Sequence, residues 1–225
     1  MRHSLTAPFV DKYLDPATSM GEILFGLIMT LTFTLGAGLT LQEEGAEGAR
    51  TLLIATIGCN IAWGVIDGVF FMLGQLFERG RLRRLALRVR ESRSADEARS
   101  LVAGEFDESL GNVTTPDERA SLYNRIVDHV RAAEFPPNRI TRADVMGAIA
   151  SFWLVFFASL PAALPFLFID QAHLALRVSN LILLGLLFWA GYSWARYTMA
   201  RPFWTGLIFL LIGALLVVMA IALGG

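Results

Sequence analysis

The chain has 225 residues, of which 55% are hydrophobic and only 17% charged, and its net charge is −1. A soluble domain averages about 45–50% apolar and about 25% charged residues, so the apolar excess argues against a water-soluble globule and excludes disorder. A single Cys59 excludes a disulfide scaffold, and nineteen Lys and Arg against twenty Asp and Glu leave no basic domain for a nucleic-acid partner.

The apolar residues are gathered into long runs. A membrane-spanning helix needs about 20 mostly apolar residues. The first such run is Met20–Leu41, with Glu22 as its only charge. It has full span length and no small-residue cleavage site after it, so it reads as a span and not as a secretory signal. Glu22 has two readings. Ser19-Met-Gly-Glu22 fits a capping box, while Asp15-Pro16 fits an earlier helix start with Pro in the first position. In the first case Glu22 is a cap; in the second it is free to bind an ion. Met29, Thr30, Thr32 and Thr34 follow. The hydroxyls either bond to carbonyls of the preceding turn or line a polar path, and Met29 is either packing or a soft thioether ligand.

An acidic stretch, Glu43-Glu44 with Glu47, separates this run from the second, Thr51–Phe77. Asp67 lies well inside the second run. An ionisable residue within a span is costly and usually functional. Asn60 precedes it by seven residues, so the two share a helix face, with Gly64 between them. Small residues there let a helix or an ion approach closely. The competing reading is a structural Asp hydrogen-bonded across a helix interface.

Residues 78–141 contain no span. Ser94-Ala-Asp-Glu97, Thr115-Pro-Asp-Glu118 and Thr141-Arg-Ala-Asp144 are helix-start signatures. They predict helices over 78–92, 95–110 and 116–133, and a start for the third span. Gly111-Asn112 and Pro136-Pro137 break the chain between elements. Arg79, Arg81, Arg83, Arg84 and Arg88 cluster just after the second run, at the level of anionic headgroups. On the second insert helix, Glu97, Glu105 and Glu108 share one face, with Val102 and Phe106 roughly opposite. The acidic face is either solvated or a hard-cation site. Asp128 and His129 on the next helix supply further ligand atoms in the second reading; otherwise His129 is an ordinary surface histidine.

Three more apolar runs follow: Val145–Ile169, Asn180–Ala195 and Phe203–Leu223. The third span carries Ser151 and Ser159, and Pro161 and Pro165, each of which removes a backbone donor and kinks a helix. Trp189, Tyr192 and Trp194 fit an aromatic belt. Gly206 and Gly213, one heptad apart, form a packing stripe in the last span. The fold class expected is therefore all-α: five transmembrane helices, with a helical insert between the second and third. The segments are 1–77, 78–141 and 142–225.

Orientation follows from basic residues, which favour the cytoplasmic side. With the N-terminus inside, Arg2, Lys12, thirteen arginines from Arg79 to Arg142, Arg196 and Arg201 lie inside; only Arg50 and Arg177 lie outside. The acidic stretch at Glu43 and the C-terminus then face outward. Eighteen of the nineteen basic residues are Arg, a bias of GC-rich bacterial genomes that points to a bacterial plasma membrane. Enzyme signatures are missing: there is no phosphate loop with Lys, no His-Glu-x-x-His and no Gly-x-Ser-x-Gly. The chain is not expected to be an enzyme.

Gly21-Glu-Ile-Leu-Phe-Gly-Leu-Ile-Met-Thr30 and onward to Gly38, Gly58-Cys-Asn-Ile-Ala-Trp-Gly-Val-Ile-Asp67-Gly68, the acidic helical insert, and Ser159-Leu-Pro-Ala-Ala-Leu-Pro165 together resemble the vacuolar iron transporter (VIT) family over nearly the whole chain. The resemblance implies a homodimer that exports Fe²⁺ or Mn²⁺ from the cytoplasm against protons. Its path runs between subunits past first-span and second-span ligands, and insert glutamates gather metal. Met29 stands where the family carries its first-span Asp, so Asp67 or Glu22 would take over that role. Of the family's Glu-x-x-Glu runs only Glu105 and Glu108 remain. The expected path is Asp67, Asn60, Glu22, Met29 and Thr32. The expected metal ligands are Asp67, Glu22, Met29, Glu105, Glu108 and His129. The expected partners are the lipid bilayer, the metal as cargo and a second copy of the chain; no cofactor is expected. The alternatives are a membrane scaffold whose insert binds a protein, and a transporter of another small solute.

Overall fold

In the computed structural model, residues 8–40, 45–135 and 137–222 are described, and they form nine helices. These are α1 (Pro8–Tyr13), α2 (Pro16–Thr40), α3 (Gly45–Glu91), α4 (Ala95–Leu110), α5 (Pro116–Ala132), α6 (Arg142–Ala163), α7 (Pro165–Phe168), α8 (Ala172–Thr198) and α9 (Pro202–Ala222). No strand occurs among the described residues. Five stretches have the length and apolarity to cross a membrane: Pro16–Gly36, Ala46–Glu91, Arg142–Phe168, Ala172–Thr198 and Pro202–Met219. The protein is thus an all-α polytopic membrane protein. Arg2, Leu41, Glu43, Glu44, Pro136 and Leu223 lie outside the described residues.

Several boundaries move for identifiable reasons. Glu47 and Arg50, expected in the loop before the second span, sit in the first turns of α3. An acid at a helix N-terminus complements the macrodipole, so Glu47 starts the helix. The fourth span begins at Ala172 and not at Asn180. Between them Arg177 is the only charge, and it is exposed, so one long side chain does not interrupt the helix. Pro161 leaves α6 helical to Ala163; the break comes at Leu164, ahead of Pro165. There Ser179 Oγ of α8 donates to the Ala162 carbonyl at 2.7 Å. A neighbouring hydroxyl thus satisfies a carbonyl at a proline-interrupted helix end.

The chain divides into two units, Met1–Met72 with Thr141–Gly225, and Leu73–Ile140. In the first, Leu27 and Leu31 of α2, Ala162 of α6 and Leu183, Leu187 and Ala190 of α8 form the core. Small residues set the helix spacings. A Cβ at Gly26 would lie 2.9 Å from the Val155 carbonyl oxygen, one at Gly68 2.9 Å from that of Ala148, and one at Gly206 2.8 Å from that of Phe188. Gly213 seats against Leu184 and Leu187 in the same way, so the two last-span glycines do form a packing stripe. Val10 of α1 and Leu14 just after it pack against Ala150 of α6. Met199, between α8 and α9, is the one non-glycine residue with positive φ (56°) among the described residues.

In the second unit, the lower part of α3 packs with α4 and α5 around Val89, Ala98, Val102, Tyr123 and Val127, with Phe106 against them. The caps explain the boundaries. Ser94 accepts from the Glu97 amide, and Glu97 accepts in turn from the Arg93 amide. Thr115 and Glu118 form a reciprocal capping box, and burial is opposed by these bonds: the Thr115 backbone and hydroxyl hold the Glu118 carboxyl below its ordinary value.

Candidate functional site

Glu22 is not the cap of α2. Asp15 takes that role, with Oδ1 accepting from the Ala17 and Thr18 amides at 2.9 and 3.0 Å and Oδ2 accepting from the Thr18 hydroxyl. Pro16 then occupies the first helical position, where its missing N–H costs nothing. Glu22 falls two turns further in, and its carboxyl meets Asp67 of α3 and Ser151 of α6. Three helices therefore converge on one polar point. Asp67 Oδ2 and Ser151 Oγ are both buried and make no well-formed hydrogen bond among the described residues, and Ser151 is fully buried.

The local sequence explains how α6 comes so close. Gly147, Ala148, Ala150 and Ser151 present almost no bulk. Gly64 and Gly68 on α3 meet this face through Phe152 and the Ala148 carbonyl. Gly26 of α2 meets the same helix one turn beyond, at Val155. Close backbone approach is what small residues permit in a membrane interface, and it brings short polar side chains from three helices into reach.

Two carboxylates side by side with little water repel each other. The arrangement is stable only with positive charge between them, carried by a proton or by a cation. All three converging groups offer oxygen, which suits hard and borderline divalent cations.

The remaining residues named from the sequence fall in different places. Asn60 is buried two turns from Asp67, and its side-chain amide pairs with the Thr30 hydroxyl at 3.0 Å. Thr34 makes the matching bond to Asn180 of α8 at 2.7 Å. Each threonine also lies within bonding distance of a carbonyl of its own helix. Thr32 is exposed and donates to the Met29 carbonyl, outside this network. Met29 is buried, but seven residues separate it from Glu22, about 10 Å of helix rise, so it is not part of the carboxyl pair.

In the insert, Glu105 is bound by Arg81 at 2.5 Å, and Arg81 also pairs with Glu78. Glu108 and His129 are exposed on α4 and α5. No three His, Cys, Asp or Glu side chains are gathered at metal-binding distance among the described residues. What joins α4 to α5 instead is the Tyr123 hydroxyl on Asp107 at 2.7 Å, with Arg119 against the same carboxylate. Burial and this bond raise the Tyr123 hydroxyl above its ordinary value.

Ser151 thus joins the carboxyl pair and Asn180 joins Thr34, although in the sequence each stands only as a polar residue in or beside an apolar run. The available signal was spacing: Gly147 and Ser151 four apart on α6, and Thr30 and Thr34 four apart on α2.

No individually curated protein matches this chain. The model of the VIT family matches residues 79–225, from the lower part of α3 through α9. The match covers more than half of the chain and takes in the insert and the last three spans. The chain therefore belongs to the VIT family, a family of membrane metal-ion transporters.

Proposed function

We propose that this protein is a secondary transporter that exports a divalent transition metal, Fe²⁺ or Mn²⁺, from the cytoplasm, driven by protons. One observation carries the reading: the paired carboxyls of Glu22 and Asp67 inside the membrane-spanning unit, with the fully buried Ser151 beside them. A site that needs one positive charge or more between two acids can exchange a proton for a metal ion. Protonation of either acid weakens the metal site, which ties metal release to proton entry. The Arg-rich insert, with Lys12, Arg196 and Arg201 on the same side, supports an inside location for the N-terminus and residues 78–141. The resemblance to the family supports a homodimer, and the predominance of Arg over Lys supports a bacterial plasma membrane.

The test is flux into proteoliposomes of Fe²⁺, Mn²⁺ and Ca²⁺, with and without a pH gradient. Gradient-dependent uptake of Fe²⁺ or Mn²⁺ is expected. Asp67→Asn should reduce that flux at least a hundredfold while the protein still elutes as a single folded species. Normal metal flux in this variant would overturn the assignment of the site.

A further inference from the structure

Leu73, Phe77, Arg81, Arg84 and Arg88 recur every three or four residues of α3 and so share one helix face. Leu73 is 53% and Phe77 66% exposed, and the three arginines are exposed as well. The other side of this segment holds the fold: Leu85 and Val89 pack with Ala98, Val102 and Tyr123. The face therefore switches from apolar to basic at one point, between Phe77 and Arg81, without serving the core of its unit.

The register of that switch matches a bilayer edge. Phe77 and Arg81 are about 6 Å apart along the axis, and Phe77 and Arg84 about 10 Å. The headgroup layer is about 5–7 Å deep beyond the hydrocarbon on each side. Helical side chains lean toward the N-terminus, so the guanidinium groups lean back toward Phe77. Arg81 is already engaged by Glu78 and Glu105. Arg84 and Arg88, one turn apart, have no ion-pair or hydrogen-bond partner among the described residues. Both carry a full positive charge at the depth where an anionic headgroup places its phosphate.

We propose that Arg84 and Arg88 form a binding site for the headgroup of an anionic phospholipid, in the leaflet at the Phe77 end of α3, with the acyl chains lying along Leu73 and Phe77. A soluble phosphate would use the arginines and leave the apolar pair uncovered. An anionic lipid carries apolar and charged parts in the same order as this face. The inference rests on the chain spanning a membrane and is independent of what it transports.

The test is native mass spectrometry of the detergent-solubilised full chain, titrated with phosphatidylglycerol and, separately, with phosphatidylcholine of the same chain length. Wild type should retain phosphatidylglycerol at least tenfold better than phosphatidylcholine. A basic residue near an anionic surface is worth about fivefold in binding, so R84Q/R88Q should lose about twenty-five-fold and bring the two lipids level. R84K/R88K, which keeps both charges, should retain most of the preference, and millimolar inorganic phosphate should not displace the lipid. An unchanged preference in R84Q/R88Q overturns the site. So does loss of the preference in a well-folded R84K/R88K, which also decides the question if the glutamine variant fails to fold. Displacement by phosphate would make the ligand a free anion and overturn the lipid assignment.

Discussion

A hydroxyl and an amide buried in a membrane must find each other, because lipid offers neither donor nor acceptor. Thr30 with Asn60, and Thr34 with Asn180, are two such pairs, one helical turn apart on α2 and directed to different neighbours. Inter-helix hydrogen bonds of this kind average about 0.6 kcal/mol and reach about 1.7 kcal/mol. Thr34→Val should therefore destabilise the protein by about 0.5–1.5 kcal/mol, read from the midpoint of unfolding in mixed micelles, with metal flux retained. Ser151 belongs to a different class. Its hydroxyl makes no well-formed bond among the described residues, so Ser151→Ala should leave the midpoint within about 0.5 kcal/mol of wild type and raise the metal concentration for half-maximal flux several-fold. A large loss of stability with unaltered flux would reverse that assignment. Asp67 was legible in the sequence because a lone charge in an apolar run stands out. Ser151 was not, because serine is common in membrane helices and only the tertiary approach of α6 gives it a partner.

At the scale of single helices, the start signals written in the sequence hold most closely. The Thr115 and Thr141 capping boxes form with both reciprocal bonds, and the insert helices end within a residue or two of where spacing placed them. Replacing Thr115 by Ala should cost about 1 kcal/mol, measured as reduced amide protection in the first turn of α5. The same box gives a pH dependence. The Glu118 carboxyl is held below its ordinary value in the folded chain. Its contribution is then fully present above the unfolded value and is lost as pH falls through the folded one. Protection of the Thr115 amide should drop on acidification and not on raising the pH. Helix starts at α2 and α8 were less legible, for opposite reasons. At α2 two overlapping capping patterns compete, and the tighter Asp15 turn wins. At α8 no cap hydrogen bond forms, so only the apolar character from Ala172 onward marks the beginning. Close packing of helices is the least legible feature at this scale. The Gly206 contact with the Phe188 carbonyl depends on a partner helix; Gly206→Val should overpack it at a cost of about 1–3 kcal/mol.

For the molecule as a whole, hydropathy and charge distribution carry the architecture. Five apolar runs could form only helices in a bilayer, and the Arg-rich segment between the second and third could not enter it. The same distribution makes the proposed orientation testable. Cys59 is the only cysteine, so a Cys59→Ser background with Ser109→Cys on exposed α4 gives one reporter. A membrane-impermeant maleimide should label it in inverted vesicles and leave it unlabelled in intact cells. The acidic face of the insert, expected to gather metal, is where contacts from other elements count most. Glu97, Glu105 and Glu108 do share a helix face, but two of the three are occupied by local partners, the Arg93 amide and Arg81. Spacing shows which side chains share a face; it does not show which basic group from another element reaches them first.

The corner between α8 and α9 has a practical consequence. Met199 holds its backbone in the left-handed region while its side chain stands 97% exposed. A left-handed residue with a Cβ carries about 1–2 kcal/mol of strain, and nothing around this side chain compensates for it. Asparagine tolerates that conformation better than methionine. Met199→Asn should therefore raise the thermal midpoint rather than lower it, offering a starting point for engineering a hardier version of this transporter without touching its interior.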